Sequence, residues 1–176
     1  MRASLVFTFA LISIPTISLS IPSFSHAQTK NICTLLNANP DWAESVVAAE
    51  EKWGVSAGNI LAFIDQESRF RANASSGPNY GYAQATQQTW NGFLKDTKIG
   101  NKSRSDFDAS VNFVGWHFKQ MNKQFGIGIN NVSEQYLAYQ LGSGGYKKGA
   151  PPASRRIAAS VASRARIFED QLDNCD

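Results

Sequence analysis

The sequence predicts a mainly α-helical protein, a compact domain of about six helices, from three observations. Apolar residues recur at helical spacing along several segments, residues that favour helix starts and ends flank those segments, and no segment shows the apolar–polar alternation of a half-buried strand. The chain has 176 residues, which is enough for one domain with a substantial hydrophobic core.

Residues 1–27 have the pattern of a secretory signal peptide. A basic residue precedes an apolar run over 5–12, and the segment ends in Ser25-His26-Ala27, a small-x-small cleavage pattern. The apolar run is shorter than the roughly 18 residues that a membrane span needs, and prolines interrupt the region that follows it. We therefore expect an exported protein, periplasmic or secreted, with residues 28–176 as its one domain and no stable membrane anchor.

Three helices are predicted in the first part of this domain. The first covers 40–53, because a proline and acidic residues stand at its start and Gly54 at its end. A second helix, capped by a serine, is expected over 56–70. A loop rich in Gly, Ser and Asn over 73–80 separates it from a third helix over about 86–96.

Three more helices follow. The clearest covers 107–125, where apolar residues recur at alternating steps of four and three and form one continuous stripe. A short fifth helix, capped by Ser133, is expected to end at Tyr139. A glycine-rich loop over 142–152 then leads to a last helix with apolar residues over 157–172. The wide stripe makes the fourth helix the expected centre of the core.

The small number of histidines and cysteines excludes several classes of function. The histidines are His26, within the predicted signal, and His117. A zinc site with several His and Cys ligands is therefore not expected, and neither a metal nor a cofactor is predicted. His117 stands beside the stripe of the fourth helix, away from every motif, and no catalytic role is expected for it. The formal net charge of +3 does not indicate a nucleic-acid partner, and carboxylates are the expected agents of any chemistry.

Cys33 and Cys175 stand close to the two ends of the predicted domain. An even pair of cysteines in an exported protein predicts a disulfide, which would join the ends of the domain. Two unrelated thiols are the alternative.

Glu67 is the informative residue of the second helix. At about 100° per residue, Glu67 projects within about 40° of Ile60 and Phe63, whereas Asp65 projects about 160° away from it. A carboxyl group in apolar surroundings is costly to ionise, so its pKa rises, as a general acid near neutral pH requires. The alternative is a structural glutamate hydrogen-bonded to the backbone or to an arginine.

Polar and aromatic residues are frequent in the chain that follows Glu67. Aromatic rings stack on sugar faces and amides bind acetamido groups, so these residues beside one protonatable acid suit a sugar-binding groove. Core packing is the alternative for each aromatic residue. The residues are Ser75, Ser76, Tyr80, Tyr82, Gln84, Trp90, Tyr136, Tyr139 and Tyr146.

Three short motifs occur in order along most of the predicted domain. They are Glu67-Ser68-Arg69-Phe70, Gly81-Tyr82-Ala83-Gln84 and Ala138-Tyr139-Gln140-Leu141-Gly142. They resemble the Glu-Ser-x-Phe, Gly-Leu-Met-Gln and Ala-Tyr-Asn-x-Gly motifs of the soluble lytic transglycosylase domain, a lysozyme-like family of bacterial cell-wall enzymes. The resemblance implies a lysozyme-like helical fold with a substrate groove.

The sequence departs from these family motifs at several positions. Tyr82-Ala83 stands where the family has Leu-Met, and Gln140 where it has Asn. Ser76 has the spacing of the family's serine from the acid, while Ser75 has its spacing from the glycine, so both stay candidates.

Further residues resemble a narrower subgroup that accompanies conjugative or type IV secretion complexes. This likeness implies such a complex as a partner, in addition to the peptidoglycan strands on which the family acts, and a monomer is expected. The residues are Gly81-Tyr82-Ala83-Gln84-Ala85, Thr89-Trp90, Phe113-Val114-Gly115-Trp116 and Gly144-Gly145-Tyr146.

The resemblance also implies a reaction, the cleavage of the β-1,4 bond between N-acetylmuramic acid and N-acetylglucosamine with formation of 1,6-anhydro ends. Glu67 is then the catalytic acid and afterwards the base on the C6 hydroxyl, and Tyr139 is a hydrogen-bond donor near Glu67 or the sugar. Substrate contacts are carried over to Ser75, Ser76, Gly81, Tyr82, Gln84, Gln140 and Tyr146.

Two alternative functions stay open. One is a lysozyme-type muramidase, a hydrolase in which Asp106 or Asp108 would supply a second carboxylate. The other is a non-catalytic module that binds glycan or serves as a scaffold for secretion.

Overall fold

The computed structural model describes residues 31–175, so the predicted signal at 1–27 lies outside the described residues. Within this range the chain is mainly α-helical, which confirms the predicted fold class, and it forms seven helices. These are α1 (Ile32–Asn37), α2 (Pro40–Trp53), α3 (Ala57–Ser68), α4 (Gln87–Thr97), α5 (Phe107–Phe125), α6 (Val132–Lys147) and α7 (Pro152–Leu172). No helix in residues 31–175 is long and apolar enough to cross a membrane.

The helix ends that the sequence marks most clearly lie where they were predicted. Helix α2 begins at Pro40 and ends before Gly54, which adopts the left-handed conformation with φ of 68°. Helix α5 has the predicted bounds because the Asp106 side chain accepts a hydrogen bond from the Ala109 amide (2.9 Å) and Gly126 ends the helix with φ of 69°.

Helix α3 ends two residues earlier than predicted. Its last helical residue is Ser68, because Arg69 and Phe70 both have positive φ, 55° and 61°. The chain therefore turns sharply two residues after Glu67, and the loop that follows begins at the same end of α3 as this carboxyl group.

A small antiparallel sheet, absent from the sequence prediction, occupies the connection between α3 and α4. Its strands are β1 (Ser75–Ser76), β2 (Asn79–Tyr80) and β3 (Ala85–Thr86), paired in the order β1-β2-β3. Two-residue strands are too short to show an alternating pattern, so the sequence carried no signal for them.

Helix α6 is longer than the predicted helix from Ser133 to Tyr139. It is capped by Asn131 rather than Ser133, and it continues to Lys147 through part of the predicted glycine-rich loop. A kink at Gly142, with φ of 64° and ψ of 168°, interrupts it. Only glycine adopts this conformation readily, so the helix changes direction there and then resumes. Helix α1 was also not predicted, since it has a single polar cap and six residues.

The core is built around α5, as its apolar stripe predicted. All residues from 109 to 118 on this helix are buried, and α2, α3, α4 and α6 pack around it. Gly115 lies in the contact with α2, where a side chain would overlap the ring of Trp53. Helix α3 is held on its other side by α7, so most of α3 is buried.

A disulfide joins Cys33 to Cys175, which confirms the prediction from the sequence. The two residues are 142 positions apart, so the bond closes nearly the whole described chain into one loop. The Gln171 side chain strengthens the same junction by accepting a hydrogen bond from the Ile32 amide at 2.8 Å.

The disulfide is expected to stabilise the domain. Replacing both cysteines (Cys33→Ser with Cys175→Ser) should lower the free energy of unfolding by about 4–5 kcal/mol, because the open chain regains the entropy that a loop of this length removes. Denaturant titrations with and without reductant measure it. The wild type should lose stability on reduction while the double variant should not respond, and equal stability of both proteins would contradict the expectation.

Candidate active site

A cleft of about 640 Å³ opens beside the C-terminal end of α3. Its walls come from α3, the small sheet, α4, α5 and α6. Among the described residues that line it, Glu67 is the only one with a carboxyl group. The lining residues are Glu67, Asn79, Gln84, Thr86, Thr89, Trp116, His117, Gln120, Met121, Tyr136, Ala138, Tyr139, Gln140, Gly142 and Ser143.

The carboxyl group of Glu67 has a raised pKa, as its position on the apolar face of α3 predicted. Burial raises the pKa of its carboxyl group from 4.5 to about 7, and hydrogen bonding with Tyr136 lowers the pKa by a smaller amount. A substantial fraction of the molecules therefore carries a neutral, proton-donating Glu67 at neutral pH.

Asp65 points elsewhere, as the helix projection predicted. Its carboxylate forms an ion pair with the guanidinium of Arg164 on α7 at 3.1 Å, and it does not line the cleft. Helix α3 thus presents one carboxylate to the cleft and the other to α7.

Tyr136 was named in the sequence analysis only among the aromatic residues suited to a sugar groove, with no role at Glu67. It is 4% exposed and lines the cleft with Glu67, and the charge of Glu67 and hydrogen bonding with it both raise the Tyr136 pKa. Burial and then the charge of Glu67 raise its pKa, so the phenol stays protonated and can donate to the carboxylate. A signal existed, because Tyr136 and Tyr139 are three residues apart on one helix and so share a face.

Tyr139 lines the cleft near Glu67, but its hydroxyl proton already forms a hydrogen bond within the protein. It donates to the carbonyl oxygen of Ala83 at 2.6 Å, and its ring packs edge-on against Phe63 and His117. Tyr136, not Tyr139, therefore holds the position of the predicted donor to Glu67. The bond to Ala83 fastens the third sequence motif to the second.

Gln84 lines the cleft and also holds the loop before it. Its amide nitrogen donates to the carbonyl oxygens of Ala74 and Gly81, each at 2.8 Å, although its own backbone has a positive φ of 50°. Both amide hydrogens are thereby used, so the oxygen Oε1 is the atom left to accept a hydrogen bond from a ligand.

The remaining predicted contact residues divide into two groups. Gln140 is exposed and lines the cleft. Ser75 and Ser76 are exposed on β1 and do not line it, and Ser75 instead borders a separate depression formed by 71–75. Their role as sugar contacts stays a prediction that this geometry does not favour.

Gly81, Tyr82 and Tyr146 do not line the cleft and serve the packing of the domain, so their role in substrate binding stays a prediction. Gly81 has φ of 83°, and a side chain there would overlap the backbone of Arg104. Tyr82 is 7% exposed and packs between other aromatic rings. Tyr146 donates its hydroxyl to Glu134 at 2.7 Å.

Trp90 is likewise a core residue. It is 1% exposed, and its indole nitrogen donates to the carbonyl oxygen of Lys102 at 2.9 Å. The aromatic residues downstream of Glu67 are therefore divided between core and cleft, a division that sequence order alone does not reveal.

His117 lies in the wall of the cleft, so its predicted distance from every motif is wrong. Its ring packs edge-on against Tyr139 with 4.9 Å between the centroids, and burial lowers its pKa to about 4. The ring is therefore neutral at physiological pH. Its Nε2 has no hydrogen-bond partner within residues 31–175.

Asp106 and Asp108, the candidates for a second catalytic carboxylate, have structural roles at the start of α5. Asp106 caps the helix and pairs with Lys102 at 3.4 Å, and Asp108 accepts a hydrogen bond from the Asn112 side chain at 3.2 Å. Neither lines the cleft. Across the described chain, no group of three or more His, Cys, Asp or Glu residues is arranged to hold a metal ion.

The structure is thus a helical domain with one glutamate of raised pKa beside an open cleft of amides and aromatic rings. The sequence matches the family model described as Transglycosylase SLT domain over residues 5–175. The chain therefore belongs to the transglycosylase SLT domain family, which confirms the resemblance seen in its motifs.

The fold is also similar to a solved structure, an inactive glutamate-to-glutamine mutant of the lytic transglycosylase Slt from Pseudomonas aeruginosa. The two share 19% sequence identity with a TM-score of 0.60 over 74% of this chain. This chain spans 24% of the length of that protein. No curated protein matches the sequence closely enough to count as a relative.

Glu67→Gln is expected to stabilise the protein at alkaline pH. The folded-state pKa lies above the unfolded value, so the stability contributed by the neutral carboxyl is fully present below about pH 4.5 and is lost as the pH rises through about 7. Glutamine does not ionise, so the variant should gain roughly 3 kcal/mol over the wild type by pH 8.5 and little at pH 4.

Denaturant titrations at several pH values measure this difference. Glu44→Gln is the control for the loss of one negative charge, since Glu44 is exposed on α2. A Glu67→Gln variant that is less stable than the wild type at every pH would support the structural role instead.

Proposed function

We propose that this protein is a peptidoglycan lytic transglycosylase that cleaves the β-1,4 bond between N-acetylmuramic acid and N-acetylglucosamine and leaves a 1,6-anhydro end. The observation that carries the proposal is the cleft with Glu67 as its one carboxyl group among the described lining residues, held near neutral pKa by burial. Membership of the transglycosylase SLT domain family supports the same reaction.

The reaction can run on one carboxyl group because the substrate supplies the nucleophile. Glu67 donates its proton to the glycosidic oxygen, and the bond from that oxygen to C1 of the muramic acid breaks. The resulting carboxylate then takes the proton of the C6 hydroxyl of the same sugar, whose oxygen bonds to C1. Glu67 ends in its starting, protonated state, and no water is consumed.

Tyr136 supports the half of this cycle in which Glu67 is ionised. Its hydroxyl stays protonated and can donate to the carboxylate that forms when the leaving group takes the proton. This donation lowers the cost of a negative charge in the buried site without making the acid too weak a base for the second step.

The other cleft residues supply contacts suited to an N-acetylated sugar chain. Gln84 can accept a hydrogen bond through Oε1, and Asn79, Gln120 and Gln140 add further amide groups. Trp116 contributes an aromatic surface, with its indole nitrogen directed to Asp96 at 3.2 Å. We assign these five residues to substrate binding.

Two alternatives are less well supported. A conventional glycosidase needs two carboxyl groups roughly 5–9.5 Å apart on either side of the bond, and Asp65, Asp106 and Asp108 are all engaged outside the cleft. A module that only binds glycan does not need a carboxyl group whose pKa burial raises to about 7.

We also propose the compartment and a partner. A wall-cleaving enzyme works outside the cytoplasmic membrane, which agrees with the expected export signal. The likeness of the 81–85 and 113–116 segments to the secretion-associated subgroup supports a role beside a type IV secretion complex.

Digestion of purified cell wall tests the reaction directly. The wild type should release muropeptides with 1,6-anhydro ends, identified by mass spectrometry. Glu67→Gln should lower the rate by at least about 10²–10⁴-fold because the general acid is lost. Glu44→Gln should retain the wild-type rate. Reducing ends without anhydro sugars would establish a muramidase, and binding without release by either protein would establish a non-catalytic module.

The pH dependence of kcat/KM tests the assigned proton donor. The active form has a neutral Glu67, so kcat/KM should fall as the pH rises through about 7 and should decline about tenfold per unit above it. Soluble glycan strands of defined length are the substrate for this measurement. A rate that keeps rising between pH 7 and 9 would show that the ionised form starts the reaction.

A further inference from the structure

Basic residues are concentrated in the part of the chain that forms α5, α6 and α7. Between positions 109 and 168 the sequence contains eight Lys and Arg residues and a single acidic residue, Glu134. The Glu134 carboxylate accepts a hydrogen bond from the Tyr146 hydroxyl at 2.7 Å. Apart from Arg164, which pairs with Asp65, these cations are exposed, and within residues 31–175 the exposed ones form no ion pair. Their charges are therefore available to an anionic ligand.

Two of these cations follow the cleft wall along α5. Trp116 and Gln120 line the cleft, and Lys119 and Lys123 each come three residues after one of them. Residues three apart on a helix are neighbours on its surface, so a cation lies beside each of these two lining residues.

A third cation lies where α6 meets α5 at the same edge of the cleft. Ser143 lines the cleft just after the Gly142 kink, and its hydroxyl bonds to Oε1 of Gln124 on α5 at 3.1 Å. Lys147 follows Ser143 by one helical turn, and its Nζ lies 5.8 Å from the centre of the Phe125 ring. Both helices thus carry exposed lysines directly beyond the residues that line the cleft.

We infer that these three cations, the basic rim of Lys119, Lys123 and Lys147, bind carboxylates of the stem peptide that a muramic acid in the cleft carries on its lactyl group. The rim makes the protein selective for glycan whose stem peptides are present and ionised. This inference rests on the proposed function and deepens it, because it assigns a substrate preference to the same site.

The dimensions allow this contact. A stem peptide of about four residues extends up to roughly 14 Å. One helical turn, about 5.4 Å, separates the rim from the cleft residues that precede it along each helix. A peptide attached to a sugar beside Gln120 or Ser143 therefore has the length to bring a carboxylate to Lys123 or Lys147.

The division of chemistry between cleft and rim favours this ligand. The cleft presents amides, which suit the neutral acetamido and hydroxyl groups of the sugars, and the cations stand outside it. A peptide tethered to a sugar in the cleft is held at high effective concentration beside the rim, so weak exposed ion pairs suffice to bind it. A membrane of anionic lipid lacks this tether, since the rim borders a concave cleft rather than a flat face.

The experiment compares two forms of the same soluble glycan strands. One keeps its stem peptides intact, and in the other the peptide carboxyl groups are converted to amides with carbodiimide and excess ammonia. Binding is measured by calorimetry with Glu67→Gln protein, which prevents turnover. Amidation should raise Kd at least about fivefold, as expected for the loss of two or three exposed ion pairs. The difference should shrink as salt is added.

The rim is tested by Lys123→Gln together with Lys147→Gln in the same background. This double change should raise Kd for intact strands about fivefold and should leave Kd for amidated strands unchanged. The matched control is Lys95→Gln with Arg166→Gln, which removes the same charge from exposed positions on α4 and α7 that do not line the cleft. It should leave both Kd values unchanged.

Equal Kd values for intact and amidated strands overturn the inference. An equal loss of affinity in the rim variant and the control also overturns it, because that result indicates general attraction by net charge. Binding to vesicles of anionic phospholipid that the rim variant loses, without any difference between the two strand forms, assigns the rim to a membrane instead.

Two further outcomes are separable. If the change at Lys147 disturbs its packing on Phe125, Lys119→Gln with Lys123→Gln removes two rim charges from α5 alone, and the same outcomes apply. If the Kd values differ as expected but the protein with Glu67 intact releases no anhydro muropeptides, the proposed reaction fails and the rim keeps its ligand.

Discussion

The cost of ionising one partly buried carboxyl group at the end of α3 determines the chemistry that this structure supports. Glu67 lies at the end of α3, a helix that is buried by α5 on one side and α7 on the other. That burial raises the pKa of Glu67 to about 7 and makes it a proton donor near neutral pH. A side chain on an exposed helix would have no such property, so the chemistry depends on how completely the fold encloses α3.

Hydrogen bonds hold the second and third sequence motifs together beside that carboxyl group. The Tyr139 hydroxyl of α6 donates a hydrogen bond to the carbonyl oxygen of Ala83. The Gln84 side-chain amide donates to the carbonyl oxygens of Ala74 and Gly81 in the loop before it. Each of these contacts ends on a backbone atom, so the motifs specify the shape of the cleft as much as its chemistry. This explains why Gly81 and Tyr82 belong to the motif although neither lines the cleft.

The sequence predicted what local rules determine and missed what depends on tertiary contacts. Helices α2 and α5 had the predicted bounds because proline, glycine and aspartate act through their own backbone neighbourhood. Glu67 was selected by its helix face, which is also a local property. Tyr136 was predicted only as a general groove residue and His117 was placed outside the site, because the surroundings of both depend on partners from other helices. The Gly142 kink was taken for the start of a loop, since a single glycine conformation has no distinct sequence pattern.

The rest of the domain must stay folded when Glu67 is ionised. As the pH rises through about 7, an ionised Glu67 costs the fold roughly 3 kcal/mol, which is a large part of the stability of an ordinary domain. The disulfide across the ends of the chain contributes an opposing term of about 4–5 kcal/mol, and it constrains the unfolded chain at every pH. The protein therefore combines a carboxyl group of raised pKa with a disulfide that offsets the cost of its ionisation.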